Sequence, residues 1–404
     1  MTQIQINMDS ELLHGLFSKE GRDEAFSRLL ETILNQVLSH QASEQLQAEP
    51  YERSEDRRGY RNGNRNRRLH TRIGSITLSV PRFRSGEFST SLFTRYQRSE
   101  QALVLAMIDM VINGVSTRKI KSITEELCGT SFSKSTVSSL CKLLDPEVAK
   151  FRNRPLEKHY PFMIVDAIYI KVRRDGRIIS MGLLIATGVN EDGHREVLGF
   201  SLADSESEAS WDCLFKSLKC RGLKNVDLAV SDDHSGLGKS LHKNFQGTVW
   251  QRCQTHFSRN ILDAAPKRLQ PELKLWLHSL YEASDIEKAR VIKEEMLKPF
   301  ETSAPKAMEV LENGFDDVTA VLCLPLKYRK KLRTSNSIER LNEEIRRRER
   351  VIRIFPNEGS VIRLIGALLI EQHEKWITGK KYFIMDEYYE SKKENKKYLI
   401  KNIA

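Results

Sequence analysis

The sequence predicts an α/β protein, with a five-stranded core broken by a long helical insertion and preceded by a mainly helical, arginine-rich region. Three observations carry this. Between Phe162 and Arg252, apolar runs of strand length alternate with amphipathic helical segments. From about residue 256 to 330, apolar residues recur at helical spacing. Residues 53–98 hold twelve arginines and no lysine, against the acids Glu55, Asp56 and Glu87.

A chain of 404 residues exceeds one ordinary domain and implies two or three. Hydrophobic residues make up 40%, with 4 Trp, 16 Phe and 11 Tyr, enough to build cores. Lys and Arg number 65 against 54 Asp and Glu, giving a net charge of +11. That excess favours a polyanionic partner, because Lys and Arg displace counterions from phosphate. The start of the chain is mixed polar, unlike a signal peptide, and no stretch of 18 uncharged apolar residues occurs, so no membrane partner is expected. The six cysteines, at 128, 141, 213, 220, 253 and 323, include no CxxC pair and read as reduced thiols of a cytoplasmic protein.

In chain order, residues 22–46 form a helix with Phe26, Leu29, Leu30, Ile33, Val37 and Leu38 on one side. The Gly/Asn-rich stretch around Arg57, Arg58, Arg61, Arg65, Arg67 and Arg68 reads as a loop. Residues 71–81 follow as a half-buried strand in which Ile76, Leu78 and Val80 alternate with Thr and Ser. An arginine arm beside a small β-unit suits phosphate contact, since a guanidinium fork binds two oxygens at once. Three short helices come next, over 101–113, from a Ser116 cap to 127 before Gly129, and over 135–144 behind a Ser133 or Ser135 cap. This pattern fits a helix-turn-helix that offers Lys134, Ser135 and Thr136, with Ser138 and Ser139, to a DNA groove.

From Phe162 to Val172 an apolar strand is interrupted by a single acid, Asp166. Asp175-Gly176 marks a hairpin turn, Arg177–Val189 a second strand, and Arg195–Leu202 a third. A helix over Glu208–Lys219, a strand over Val226–Ser231 running into Asp232, a short helix, and a strand ending at Arg252 complete the core. This is the element order of the ribonuclease H-like fold, which brings an acid in the first strand beside one at the end of the fourth. An acid inside an apolar strand is costly unless it is paired, hydrogen-bonded or metal-bound, so Asp166 and Asp232 are candidate metal ligands. After the insertion, Ser335 or Asn336 caps a helix with Ile338, Leu341 and Ile345 on its buried stripe. Glu339 lies in its first turn, and Glu343 and Glu344 are expected to pair with Arg346–Arg348.

Several strings closely resemble Mutator-type bacterial insertion-sequence transposases, an Asp-Asp-Glu transposase family. They are Arg61-Asn62-Gly63, Val80-Pro81-Arg82-Phe83-Arg84-Ser85-Gly86, Ser231-Asp232-Asp233-His234-Ser235-Gly236-Leu237, Cys253-Gln254-Thr255-His256, Asn336-Ser337-Ile338-Glu339-Arg340-Leu341-Asn342 and Ile354-Phe355-Pro356-Asn357. The resemblance runs from about residue 50 to 375. It implies a catalytic triad of Asp166, Asp232 and Glu339, with Asp232 chosen over Asp233, and a helical insertion before the glutamate. The family's Cys-x-x-His pair falls on Cys253 and His256. With His234, these two are expected to act structurally or in positioning a DNA end, because half a zinc site without a second pair is the weaker reading.

Carboxylate oxygens suit Mg²⁺ or Mn²⁺, and two such ions can activate a nucleophile and stabilise a leaving oxygen in an in-line displacement. The expected activity is metal-dependent cleavage at terminal inverted repeats followed by joining to target DNA. The alternatives are a ribonuclease H-like nuclease that cuts without joining and a non-catalytic DNA-binding protein. The resemblance further implies a homodimer or larger synaptic assembly, and the location expected is the cytoplasm, at the nucleoid. The corresponding segments are a helical or dimerisation region over 1–50 and a DNA-binding region over 51–150 that includes Arg82 and Arg84. The core occupies 155–255, the insertion 256–332, the final core helices 333–380, and a solvated Lys-rich tail 381–404, with Lys392, Lys393, Lys396, Lys397 and Lys401.

Overall fold

The computed structural model describes residues 22–401 except 54, 72, 73, 91, 93–100, 129 and 130. The helix stop at Gly129, residues 72 and 73 of the 71–81 strand and the chain before residue 22 therefore lie outside the described residues, as do the side chains of Lys396, Lys397 and Lys401. Two compact units divide at residue 143, and no described helix is long and apolar enough to cross a membrane.

In the first unit, α1 (Arg22–Leu46) packs on a hairpin of β1 (Arg61–Thr71) and β2 (Gly74–Phe83). Leu38, Leu69, Ile76 and Leu78 are buried between them. Asn35 fixes the helix to the sheet, donating to the Thr77 carbonyl at 3.2 Å and accepting from the Ser79 N–H at 2.7 Å. The expected apolar stripe of α1 is only partly used: Leu38 is fully buried, but Phe26 is 43% exposed. The expectation of a loop up to Arg68 is corrected. Residues 61–68 form most of β1, with Arg65 opposite Val80 and Arg67 opposite Leu78. Backbone pairing to an apolar partner strand overrides local composition here, because β1 needs only Leu69 and Thr71 on the covered face.

Helices α2 (Gln101–Ile112), α3 (Thr117–Cys128) and α4 (Lys134–Cys141) follow, and α4 packs against both α2 and α3. Ser133 caps α4, accepting from the Thr136 N–H at 3.1 Å.

The second unit is a mixed α/β body. After α5 (Asp145–Asn153) come β3 (Phe162–Arg174), β4 (Arg177–Val189), β5 (Arg195–Ala203), α6 (Glu208–Cys220), β6 (Leu228–Ser231), α7 (Ser235–Asn244) and β7 (Val249–Arg252). The sheet order is β5-β4-β3-β6-β7, with the first three strands antiparallel and β6 and β7 parallel to β3. Asp175 and Gly176, at φ of 49° and 75°, make the tight β3–β4 turn that needs two left-handed residues. One sheet face is covered by α6 and α7, where Met163, Val165, Leu184, Trp211, Phe215, Leu218 and Leu241 interlock.

Five helices follow β7: α8 (Gln254–Asp263), α9 (Gln270–Tyr281), α10 (Ile286–Phe300), α11 (Pro305–Thr319) and α12 (Leu326–Leu332). They hold a core of their own around Phe257, Leu273, Leu277, Met296, Phe300 and Leu311. Then α13 (Asn336–Ile352) crosses β3, and α14 (Glu358–Thr378) packs on β3 and β5. Phe355 ties the two helices to the end of β3: its N–H donates to the Lys171 carbonyl, and its carbonyl accepts from the Arg173 N–H, both at 2.9 Å. Asn357 then caps α14.

The reading of a wholly solvated tail is corrected at its start. In α15 (Asp386–Lys401), the Tyr388 hydroxyl donates to Asp227 Oδ2 at 2.6 Å, and Lys392 pairs with the same carboxylate at 2.6 Å. Phe162, Tyr328, Phe383 and Tyr388 form an aromatic cluster beneath them. Aromatic burial holds this segment down, whereas its lysine content alone suggests solvent.

Candidate active site

Sheet register brings the first two acids together. Ile164 pairs with Val230 across the parallel β3–β6 ladder. Two residues further on, each chain reaches a carboxylate, Asp166 within β3 and Asp232 just past β6. Asp166 has the parity of Ile164 and Ile168, opposite to the Met163 and Val165 that face α6 and α7. It therefore lies on the side that α13 crosses, where Asn342 Nδ2 donates to Asp166 Oδ2 at 2.6 Å. The Ala167 N–H donates to the other oxygen at 2.8 Å.

The third acid is linked through Ser335. Its hydroxyl lies 3.0 Å from Glu339 Oε1, 3.3 Å from Asp232 Oδ1 and 3.3 Å from Cys253 Sγ. Occupied in this way, Ser335 stands at the N-cap position of α13 without capping it through its side chain. Asp166 thus stands in a strand interior, Asp232 at a strand end and Glu339 at a helix start, the last two sharing Ser335 and the first feeling the charge of both. Burial, helped by the charge of Asp232 and lesser contributions from Glu206 and Glu339, pushes Asp166 up to about 7, against the Ala167 N–H, which lowers it. Asp232 is also raised by burial, opposed by His256 and the Ser335 hydroxyl. A carboxylate cluster held this way lacks positive charge, which a divalent cation bound by oxygen donors would supply.

The neighbouring acids do not join the cluster. Asp233 pairs with Arg252 Nη2 at 2.7 Å, and Glu344 with Arg347 and Arg348. His256 Nδ1 stands 2.7 Å from Asp232 Oδ1 but off the line of an N–H bond. Cys253, completely buried, accepts from the Ser335 N–H at 3.4 Å and lies 3.3 Å from its hydroxyl. The ligand atoms of Asp232, Cys253 and His256 lie within 4.8 Å of one another, and among the described residues this, rather than Asp166 with Asp232 and Glu339, is the group of three that meets that spacing. His234 Nδ1 lies 3.8 Å from Glu206 Oε1, and that carboxylate also accepts from Trp211 Nε1 at 3.2 Å.

Sequence reading missed the roles of Ser335, Asn342 and Glu206. Asn342 is one turn beyond Glu339 and shares its helix face, a spacing visible in the sequence. It is 6% exposed, and its Oδ1 is buried without a partner. No local pattern marked Glu206, whose position depends on the β5–α6 connection. Gly236 explains part of the Ser231–Leu237 string, since a Cβ there would lie 2.6 Å from the Glu208 backbone nitrogen. That close approach seats the start of α7 against the start of α6.

The predicted nucleic-acid residues lie in the first unit. Arg58, Arg65, Arg68, Arg82 and Arg84 are exposed, and Arg67 is half-buried. Arg57 is engaged by the Gly59 and Glu52 carbonyls and stacks 4.6 Å over Tyr60, while Arg61 donates to Ser43 Oγ at 2.6 Å. Lys134, Ser135 and Thr136 are exposed on the first turn of α4, but the Ser135 and Thr136 hydroxyls bond to Ser133 Oγ at 2.7 and 2.8 Å.

Residues 1–379 match the family model described as Transposase, Mutator family. The chain is 42% identical over 391 residues to the transposase for insertion sequence element IS256 in transposon Tn4001 of Staphylococcus aureus, covering 96% of this chain and 100% of that protein. It is 42% identical over 370 residues to the transposase for insertion sequence element ISRM5 of Rhizobium meliloti, covering 92% and 93%. The transposase for insertion sequence element IS1081 of Mycobacterium tuberculosis is 38% identical over 356 residues, with 88% and 86% covered.

Proposed function

The chain belongs to the Mutator family of insertion-sequence transposases, and from that premise we propose that it cuts DNA at terminal inverted repeats and joins the freed end to target DNA, using Asp166, Asp232 and Glu339. One observation supports the proposal: Asp166, held by Asn342, feels the charge of Asp232 and Glu339, which share Ser335. A buried acid whose pKa is strongly raised, as at Asp166, is frequent at functional sites. The core is assigned to the ribonuclease H-like fold on its strand order and on the position of these acids, with α8–α12 as the helical insertion.

The three carboxylates would hold Mg²⁺ or Mn²⁺, in a two-ion centre. When bound, the ions supply an activated oxygen nucleophile and charge relief on the leaving oxygen. The chain's own contribution is positional. Asn342 and the Ala167 N–H fix the rotamer of Asp166, leaving the outer lone pairs of both oxygens to a ligand. Ser335 sets Asp232 and Glu339 at a fixed separation. Arg252 draws Asp233 away, so a single acid of the Asp232-Asp233 pair faces the site. His256 lowers the cost of a charged Asp232 and leaves Nε2 for a DNA oxygen. Cys253 accepts from the Ser335 N–H, and this favours an anchoring role over zinc ligation.

In the first unit, Arg58, Arg65, Arg68, Arg82 and Arg84 would contact phosphates at the repeats, while the exposed face of α4 would read bases. The assembly expected is a homodimer or larger, since joining involves two ends. Labelled repeat ends incubated with Mg²⁺ and target plasmid test the proposal. The wild type is expected to produce both nicked ends and joined products, and Asp232→Asn neither, with end binding retained. Nicking without joined product would favour a nuclease. Unimpaired nicking by the variant would overturn the triad.

A further inference from the structure

A cavity of about 460 Å³ opens between the starts of α8 and α13 and the helices α9 and α12. Thr255, His278, Lys330, Arg333, Thr334 and Asn336 line it, and no carboxylate is among its lining residues. Its volume falls in the range of small-ligand sites. The walls are sequence neighbours of the proposed centre. Thr255 precedes His256, which touches Asp232, while Thr334 and Asn336 flank Ser335, which holds Asp232 and Glu339.

The electrostatics of the cavity are cationic. Arg333 gives one guanidinium nitrogen to Glu282 at 2.6 Å, and the exposed Lys330, which forms no ion pair within 4.0 Å among the described residues, acts on Glu282 only through its charge. The 17-residue α13 starts at this wall, and its N-cap hydroxyl is taken by the carboxylates and the thiol. Its first-turn N–H groups thus carry the positive end of the helix dipole with no side-chain cap. Tyr281 closes the floor, its hydroxyl bonded to Ser258 at 2.8 Å. A cationic side chain, a half-used guanidinium and several hydroxyl and amide groups suit an anionic oxygen group that also carries a sugar.

We infer that this cavity binds a backbone phosphate of the DNA strand next to the bond being cut or joined, with Lys330 as its principal charge contact. The inference rests on the proposed strand-transfer function and adds to it where the substrate backbone runs. Two sources share this chemistry, the flank of the element's own end and the target strand.

The full chain with Mg²⁺, labelled repeat ends and target DNA tests it. Wild-type cleavage and its loss in Asp232→Asn first check the catalytic reading by itself. Lys330→Gln is then expected to raise the KM for DNA on the order of tenfold, with kcat nearly unchanged, and to lower the salt slope of binding by about one. Lys298→Gln, which removes an exposed charge on α10, should change neither. A neutral methylphosphonate linkage placed in the end flank, or separately in the target strand, identifies the source as whichever one abolishes the Lys330 effect. The inference is overturned if Lys330→Gln leaves KM and salt slope unmoved, if it lowers kcat alone, or if neither linkage removes its effect.

Discussion

Replacing Asp166 by Asn should stabilise the metal-free protein, although it removes a residue of the proposed centre. Asp166 has an ordinary value of 3.8 and is pushed up to about 7, by burial first and by neighbouring carboxylates second. An unfolded chain releases this proton near pH 4, whereas the folded chain holds it to about 7. Between those values the folded state binds more protons, so stability falls as pH rises and the deficit is complete above about pH 7. The gap corresponds to roughly 4 kcal/mol at most. Asparagine cannot be charged, but it has one acceptor oxygen where the aspartate accepts from both Ala167 and Asn342. Losing one of those bonds costs about 1–2 kcal/mol. The net gain expected at pH 8 is about 2 kcal/mol, a rise in Tm of roughly 4–8 °C for a unit of this size. At pH 4.5 the advantage should vanish. Thermal denaturation in EDTA at both pH values measures it, and millimolar Mg²⁺ should then raise the wild-type Tm far more than that of Asp166→Asn. A variant less stable than wild type at pH 8, with Mg²⁺ affecting both alike, would refute the reasoning.

Further outcomes follow from particular contacts. Asn342→Ala frees Asp166 Oδ2 and should reduce strand cleavage by about 10–100-fold, the scale seen when groups orienting a metal ligand are lost, with DNA affinity kept in a gel-shift assay. Gly236→Ala drives a Cβ to 2.6 Å from backbone and should destabilise the second unit by about 1–3 kcal/mol in urea denaturation. Arg65→Ala and Arg68→Ala remove exposed cations from β1, and each should weaken binding to repeat and random DNA alike, lowering the salt slope by about one.

Much of the core was legible in the sequence because its strands announce themselves. Phe162–Val172 is apolar but for Asp166 and two outward-facing polar positions, and the turn at Asp175-Gly176 has a single favoured geometry. The place of Asp232 just past β6 was legible because it ends a short apolar run at the point where the next element starts. The linkages among the acids were not legible. Ser335 reads as an N-cap, the usual role of serine before a helix, and its use as a bridge depends on how α13 crosses the sheet. The pairing of Asp233 was not legible either, since its partner Arg252 lies further along the chain and is positioned by β7. The strand nature of residues 61–68 was hidden because Gly and Asn dominate locally and the stabilising partner, β2, comes later in the chain. Tyr388 and Lys392 sit in a charged, lysine-rich segment, yet Asp227 and an aromatic cluster hold them to the core.

The most direct measurement of the central claim is a crystal structure of the wild type soaked in Mn²⁺, with the ion located by anomalous scattering. The account predicts density bounded by the side-chain oxygens of Asp166, Asp232 and Glu339. Manganese absent from that pocket, or held by Cys253 and His256 with Asp166 left out, would contradict it.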